Sequence, residues 1–392
     1  MELTTFAWGW LALLFGALDV TLVLGYLAWL TRHEPSAAAP ARRPGSWPAV
    51  DVIVPVRNEA EWIGDKLRNL ETLRYPADRL RVWVVDGAST DGTADLVQAQ
   101  IAHDSRFSLI RFPVGDKTAQ LNAALRRGDA EWVMVTDADA RLPAETLELM
   151  MAAAEADARV GVVGAPVDPA GPHALEALHW QVGNYLRTRE GRCGCASLVA
   201  GPCFVFRRAL LTAWPADVVA DDMHVTFTAM AAKRSVTLID VAVTELRSPQ
   251  GLGGLFWLKF RRAHAYLREV FRFLSRVSAM TAPARAVFLW RAAHLTVLPL
   301  SLVATAGLAL AWLGHSLASP TGPLWAGAVA GAAAGGWLGS RRIRKVATAL
   351  ALGALIVPTL LLALLAQPFW RQTATFPKVM TARRGTAREA TR

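Results

Sequence analysis

Two carboxylates, Asp137 and Asp139, stand one residue apart at the end of the apolar run "EWVMVTDADARL" (131–142). A carboxylate pair at the end of a buried strand is costly unless something positive lies between the oxygens. A metal ion, a basic side chain or water could fill that role. Other polar residues fall at comparable points. Arg57, Asn58 and Glu59 follow the run "VDVIVPV", which contains Pro55; Asp86 follows "RVWVV"; and Lys117 precedes a helical segment in "VGDKTAQLN". Singly, each is weak, because an Asp after a strand is more often a cap or turn residue, and "STDGT" (89–93) reads equally as an N-cap. Together, a cation, a metal-competent acid pair and further acids suit a diphosphate ligand with a divalent ion.

The elements that must position these residues are legible between Val50 and about Arg247. Short β-branched runs alternate with helical segments: "VDVIVPV", a helix through "EAEWIGDKLRNL", "RVWVVDG", a helix after Asp91, "FSLIRF", a helix at "TAQLNAALRR", then "EWVMVTDAD". Continuous apolar strands separated by helices predict an α/β domain with a mostly parallel sheet covered on both faces. Ligands of such sheets bind outside the carboxyl ends of the strands, and the polar residues fall there.

The ordered series "VPVRNEAEWI", "YPADRLRVWVVDGASTDGTADL", "GDKTAQLNAAL", "VTDADARL", "GPCFVFRRALL" and "ADDMHV" resembles the family 2, GT-A-fold, inverting membrane glycosyltransferases. That group includes the chitooligosaccharide, hyaluronan, cellulose and poly-N-acetylglucosamine synthases and many single-sugar transferases. The resemblance covers about residues 50–275. It implies that Pro55, Arg57, Asn58, Glu59 and Asp86 hold the nucleoside, although a family Asp pair is here Asp86 followed by Gly87. It further implies that Lys117 contacts the nucleotide region, and that Asp137 and Asp139 bind Mg²⁺ or Mn²⁺ across the diphosphate of a UDP-linked or similar nucleotide-sugar. Asp222 matches the last acid of the catalytic motif and would take the acceptor's proton, supported by Asp221. One displacement would invert the anomeric carbon and form a β-linkage. The plain alternative for Asp221 and Asp222 is a pair of acids opening a helix. Residues 193–206, "CGCASLVAGPCFVF", resemble the family's acceptor-side segment; otherwise they form a Gly-containing loop before a strand.

The chain departs from processive members. They carry Gln-x-x-Arg-Trp after the catalytic acid, whereas Gln250 here is followed by no Arg-Trp at that spacing, and "KFRRA" (259–263) stands nearby. One or a few additions are therefore expected rather than a long polymer, with a processive synthase as the alternative. Phe256, Phe260, Ala263, Leu267, Val270, Phe271, Leu274 and Val277 recur at helical spacing, with Arg261, Arg268, Arg272 and Arg276 on other faces. This predicts an amphipathic interface helix over 250–282, against a core helix with a solvated basic face. Arg261 and Arg262 are candidates to meet the diphosphate or a lipid phosphate.

The 392 residues are 53% hydrophobic and carry a net charge of +10, with the basic residues beside long apolar runs. That favours anionic lipid or phosphorylated ligands over nucleic acid. Residues 6–30 hold one charge, Asp19, and are long enough to cross a bilayer. They lack a basic n-region and exceed an h-region, so an uncleaved anchor is preferred to a signal peptide. Further candidate spans cover about 286–313, 322–339 and 346–366. Arg32, Arg42, Arg43 and "RRIRK" (341–345) point to the cytoplasmic side. The expected organisation is an anchor over 1–32, a cytoplasmic GT-A domain over 50–248, the interface helix over 250–282, a C-terminal membrane region of two or three spans over 286–370, and a basic tail over 371–392. The expected location is the cell membrane, with a lipid or glycan acceptor and a possible homo-oligomer. Three cysteines, Cys193, Cys195 and Cys203, supply neither a disulfide framework nor a usual zinc spacing. A non-catalytic nucleotide-sugar-binding protein would be favoured by loss of Asp137, Asp139 or Asp222, and all three are present. A transporter fits poorly with so few spans and buried charges.

Overall fold

The computed structural model describes residues 2–34, 47–171, 173–249, 251–317 and 341–370. Its centre is a seven-stranded sheet. The strands are β1 (Val50–Val56), β2 (Leu80–Gly87), β3 (Phe107–Phe112), β4 (Trp132–Thr136), β6 (Val160–Gly164), β8 (Cys203–Arg207) and β9 (Ser235–Leu238), in the order β3-β2-β1-β4-β8-β6-β9. A small second sheet joins β5 (Ala140–Arg141), β10 (Val243–Glu245) and β7 (Val167–Pro169). Helices α2 (Ile63–Glu71), α3 (Thr93–Gln100), α4 (Lys117–Leu125), α5 (Thr146–Ala156), α6 (Ala174–Arg192) and α7 (Asp221–Ala231) fill the connections.

The mostly parallel arrangement of the seven-stranded sheet follows the sequence reading, with one exception. Strand β8 runs antiparallel to both β4 and β6. It arrives from the 193–202 loop rather than a helical crossover, so nothing forces it parallel. Its register, Thr136 opposite Cys203, sets the loop's end beside the carboxyl end of β4. Strands β2 and β4 flank β1 in parallel, with Val56 level with Asp86 and Ile53 level with Val135. The order therefore reverses at β1 and β4, which opens a crevice at their ends.

Alternation within the strands divides the core. Val52 and Val54 face α2, α3 and α5 with Ile63, Leu67 and Met150. Ile53, Val135, Phe204 and Phe206 face the opposite layer with Met223, Phe227 and Phe288. Helix α1 (Glu2–His33) joins that second layer through Tyr26 and Leu30. Glu190, fully buried, accepts hydrogen bonds from Tyr26 Oη (2.6 Å), Ser197 N (2.8 Å) and Ser197 Oγ (2.6 Å) and ties α1 to the domain.

Among the described residues, three helices are long and apolar enough to cross a membrane: Ala7–His33, Val297–Ser316 and Thr348–Ala366. The run expected as one span over 286–313 is instead two helices, α9 (Ala282–Leu295) and α10 (Val297–Leu317), broken at Thr296. The reason is packing. Helix α9 buries Val287 and Phe288 against the domain, with Phe288 edge-on to Phe227 at 4.8 Å. Helix α8 (Gly251–Phe273) also differs from its expectation. Its stripe of Leu255, Phe260, Ala263, Leu267 and Val270 is spent inside the protein, against α7 and α11 (Arg341–Ala366), which leaves Phe271 and Leu274 exposed. Phe260 stacks on Trp370 at 4.9 Å. The candidate span at 322–339, the 371–392 tail and Gln250 lie outside the described residues. All three cysteines are free thiols.

Candidate active site

The crevice at the ends of β1, β2 and β4 gathers most of the residues singled out by sequence. Asn58 takes a left-handed backbone (φ 54°), which Asn tolerates better than most residues. Its N–H donates to Ser89 Oγ (2.8 Å), and its Oδ1 accepts from Thr90 N (2.7 Å), which clamps the β1 loop to the β2 loop. Glu59 N–H donates to Thr93 Oγ1 (2.8 Å). Arg57 donates to Gly115 O (3.2 Å) and lies so close that a Cβ on Gly115 would meet Arg57 Cδ at 2.3 Å. Pro55 lies within β1, level with Val85, one step back from the rim.

Asp86 is 4% exposed. Its Oδ2 accepts from Ser89 N (3.2 Å), while its Oδ1 is buried with no hydrogen-bond partner among the described residues. A buried carboxylate oxygen in that condition has unused capacity for a ligand's hydroxyl or N–H. Gln120 stitches the two neighbouring strand ends, donating to Val56 O (2.8 Å) and Val85 O (2.7 Å).

The positive groups next to the opening acid pair are basic side chains. Lys117 Nζ lies 3.0 Å from Asp137 Oδ1 and 3.3 Å from Asp221 Oδ1. Burial works against its charge, but Asp137 and Asp221 outweigh it and hold the ammonium firmly protonated. Arg247 Nε lies 3.2 Å from Asp139 Oδ2, and the same guanidinium pairs with Glu59. Burial pushes the Asp139 carboxyl up against the pull of Arg247. Among the described residues no cluster of three or more His, Cys, Asp or Glu could hold a metal. The two hard carboxylates nevertheless fit a divalent ion that brings further oxygens from a bound diphosphate, the usual pattern for Mg²⁺.

Asp221 and Asp222 open α7 behind the non-capping Ala220, so the helix-start reading of the pair holds locally. They are also buried and turned into the crevice. Asp222 Oδ1 accepts from Met223 N (2.8 Å), and Asp221 Oδ2 has no hydrogen-bond partner among the described residues. Burial, reinforced by Asp221, pushes the Asp222 carboxyl up to about 7. Gly201 holds the space between the acids: a Cβ there would stand 3.6 Å from Asp222 Oδ2 and 3.8 Å from Asp137 Oδ2. The resulting cleft, about 110 Å³, is bounded by Lys117, Asp137, Gly201, Asp222, Arg261 and Arg262. Arg262 is pinned by Glu245 (2.8 Å) and Glu176 (3.8 Å). Burial, with Arg262 alongside, brings Arg261 down to about 10.

Several contributors carry no motif in the sequence. Lys66, 2% exposed, donates to Thr136 Oγ1 (2.7 Å) and Ala140 O (2.8 Å), so its ammonium brackets the Asp137–Asp139 turn from below. Burial lowers it to about 8. Its only sequence signal is a lysine on the apolar side of "IGDKLRNL". Arg247, Glu245, Glu176 and Tyr266 reach the site from distant segments, and no local pattern marks them.

Comparison with known proteins places this geometry. Residues 51–214 match the model of Glycosyl transferase family 2. The mannosyltransferase PcManGT from Pyrobaculum calidifontis, solved in complex with GDP-Man and Mn²⁺, superposes with a TM-score of 0.73 at 27% identity, covering 92% of this chain and 98% of that one. An N-acetylglucosaminyltransferase of Mesorhizobium japonicum is 28% identical over 244 residues, 57% of this chain and 57% of the relative. A beta-monoglucosyldiacylglycerol synthase of Nostoc sp. is 28% identical over 197 residues, 47% of this chain and 41% of that one. The chain thus spans 57% and 41% of the lengths of these two curated relatives. The fold is GT-A, as the sheet order and the crevice lead one to expect.

Proposed function

From the premise that residues 51–214 form a Glycosyl transferase family 2 domain, we propose that this protein is a membrane-bound inverting glycosyltransferase. It moves a sugar from a nucleotide-sugar to a lipid or glycan acceptor, one or a few sugars at a time. The observation that carries the reading is the cleft itself, in which Lys117 and Asp137 face Asp222 across Gly201.

In this reading Asp86, Asn58 and the 55–59 strand end hold the nucleoside, with the free Asp86 Oδ1 accepting from it. Asp137 and Asp139 hold Mg²⁺ or Mn²⁺, and that ion, when bound, neutralises the departing diphosphate. Lys117, Arg261 and Arg262 add fixed positive charge on the same side. Asp222 accepts the proton of the acceptor hydroxyl as its oxygen bonds to the anomeric carbon and the bond to the diphosphate breaks. An Asp raised to about 7 suits that role near neutral pH, with Asp221 holding it there. The donor base is uracil by the sequence resemblance. Guanine is the second reading, favoured by the GDP-Man bound to PcManGT.

Three candidate spans support membrane association. Arg32 at the end of the first, with Arg42 and Arg43 beyond it, supports a cytoplasmic catalytic domain in the cell membrane. The test is transfer from radiolabelled UDP- and GDP-sugars by the full chain in lipid with Mn²⁺. A product carrying one or two added sugars is expected; a ladder reaching high polymer, or no transfer from any donor, overturns the proposal.

A further inference from the structure

A second cavity opens behind the first. It is a groove of about 470 Å³ between α6, α8 and α9 on one side and the candidate spanning helices α10 and α11 on the other. Its walls are aliphatic, with Leu298, Leu302, Leu352 and Ile356 among them. Trp180, Leu198, Arg262 and Tyr266 line both cavities, so the groove ends where the acid cleft begins.

The inner end is positively charged. Arg187, Lys259, Arg262 and Arg291 line the groove, and among the described residues no carboxylate does. Lys259 and Arg262 are already matched, by Glu176 (2.6 and 3.8 Å) and by Glu245. Arg187 and Arg291 are not. Arg187 is 2% exposed, and among the described residues its hydrogen bonds go to neutral acceptors, Gly183 O (3.1 Å) and Asn184 Oδ1 (2.6 Å). Its Nη1 is buried with no hydrogen-bond partner among the described residues. Glu190 draws on Arg187 through space but spends its oxygens on Tyr26 and Ser197. Arg291 donates to the neutral Ser197 Oγ (3.1 Å from Nε). Leaving the buried Arg187 guanidinium without an anion is costly, and the like charge of the part-buried Arg291 adds to that cost. Burial and Arg291 together pull Arg187 down to about 10.

We propose that this groove takes the acceptor, and that the acceptor is a phosphate-bearing membrane lipid. Its chains lie along α10 and α11, its phosphate lies on Arg187 and Arg291, and a hydroxyl beyond the phosphate reaches Asp222. The inference rests on the glycosyltransferase reading and adds the acceptor's class. The hydroxyl oxygen bonds to the anomeric carbon, the carbon–diphosphate bond breaks, and the nucleoside diphosphate leaves with the electron pair. The hydroxyl proton goes to Asp222. An apolar groove alone would suit any lipid; the unmatched arginines select an anionic head.

The full chain, purified in mild detergent and delipidated, is examined by native mass spectrometry against three probes. These are dioleoyl phosphatidylglycerol, dioleoylglycerol (chains without phosphate) and glycerophosphoglycerol (head without chains). One phosphatidylglycerol per chain is expected, with both other probes held at least about tenfold more weakly. Arg187→Gln should weaken phosphatidylglycerol about tenfold and leave dioleoylglycerol unchanged. Gly353→Phe fills the groove, since a Cβ there meets nothing within 4 Å, and should weaken both lipids. Equal retention of the two lipids, or full retention in Gly353→Phe, overturns the proposal. Mn²⁺-dependent binding of UDP and GDP is measured on the same sample. Its presence without a phosphatidylglycerol preference sinks the groove alone, whereas its absence in the unaltered chain sinks the glycosyltransferase reading.

Discussion

The donor rim and the groove behind it balance their charges in opposite ways. At the rim four acids have a cation close by: Lys117 serves Asp137 and Asp221, and Arg247 serves Glu59 and Asp139. In the groove, Arg187 and Arg291 feel one another's charge, and among the described residues their hydrogen bonds go to neutral oxygens. Those four acids are therefore already paired before any ligand arrives, so a metal-bound diphosphate must exchange with contacts already made. The groove holds its unpaired charge in advance, and an anionic head gains contacts there without breaking any.

The sharpest way to break this contrast is at the rim's outer acid. Asp139→Asn removes a metal-binding carboxylate and one of the two carboxylate partners of Arg247 together. Turnover and Mn²⁺-dependent nucleotide binding should both disappear, while phosphatidylglycerol retention is unaffected. Isothermal titration with UDP and GDP, with and without Mn²⁺, reads the first effect. Retained metal-dependent affinity would remove Asp139 from the ion.

Asp222→Asn should separate the two halves from the chemistry. It takes away the proton acceptor and leaves both binding regions, so kcat should fall about 10²-fold or more with nucleotide affinity little changed. Steady-state rates near those of the unaltered chain would return Asp222 to a purely helix-opening role.

The rim was largely legible in the sequence, and the groove was not. Strand ends are local: an apolar run followed by "RNE", "DG" or "DAD" announces both the element and the polar residue on its rim, and β1 to β4 appear where those runs lie. The positive groove end is assembled from Arg187 on α6, Lys259 on α8 and Arg291 on α9, more than 100 residues apart at the extremes. No period or motif joins them. The same limit explains the misread membrane boundary. An apolar run cannot say whether it faces lipid or a protein core, and α9 faces the core. It also explains why the apolar stripe of α8 pointed to an interface, when that stripe is buried between α7 and α11.

Lys66 tests how much of the rim depends on groups that no motif reveals. Its ammonium is buried, and its lowered value of about 8 means that the folded state binds fewer protons than the unfolded one between about 8 and the usual lysine range. Stability should accordingly rise with pH across that window, and the charged form is a net cost at neutral pH. Lys66→Met removes that cost together with the donors to Thr136 and Ala140. Thermal stability should hold or rise, while Mn²⁺-dependent nucleotide binding weakens about tenfold, as for other groups that orient metal ligands. A loss of stability with unchanged nucleotide affinity would make Lys66 a core residue only.

The smallest expected effect is the most discriminating for the proton acceptor. Asp222 is raised first by burial and then by the charge of Asp221, while Lys117 lowers it. Asp221→Asn removes the like charge and frees Lys117 from one of its two carboxylates, so both changes lower Asp222. If Asp222 must be ionised to work, activity of the unaltered chain rises as pH climbs through about 7. In the variant that acidic limb should move to lower pH, and activity below neutrality should rise relative to the plateau. The plateau itself can drop modestly, because Lys117 is less firmly held. The same group acts on folding with the opposite sense of pH. A carboxyl raised in the folded state keeps its proton longer than in the unfolded chain, so its stabilisation is full below the ordinary Asp range and is lost as pH rises towards 7. The Asp221→Asn protein should therefore lose less stability across that interval. Rate–pH profiles and thermal melts of the two proteins, taken from pH 5 to 8, check both limbs. A limb that stays in place while the melts shift would show that Asp221 touches Asp222 but that Asp222 does not carry the proton.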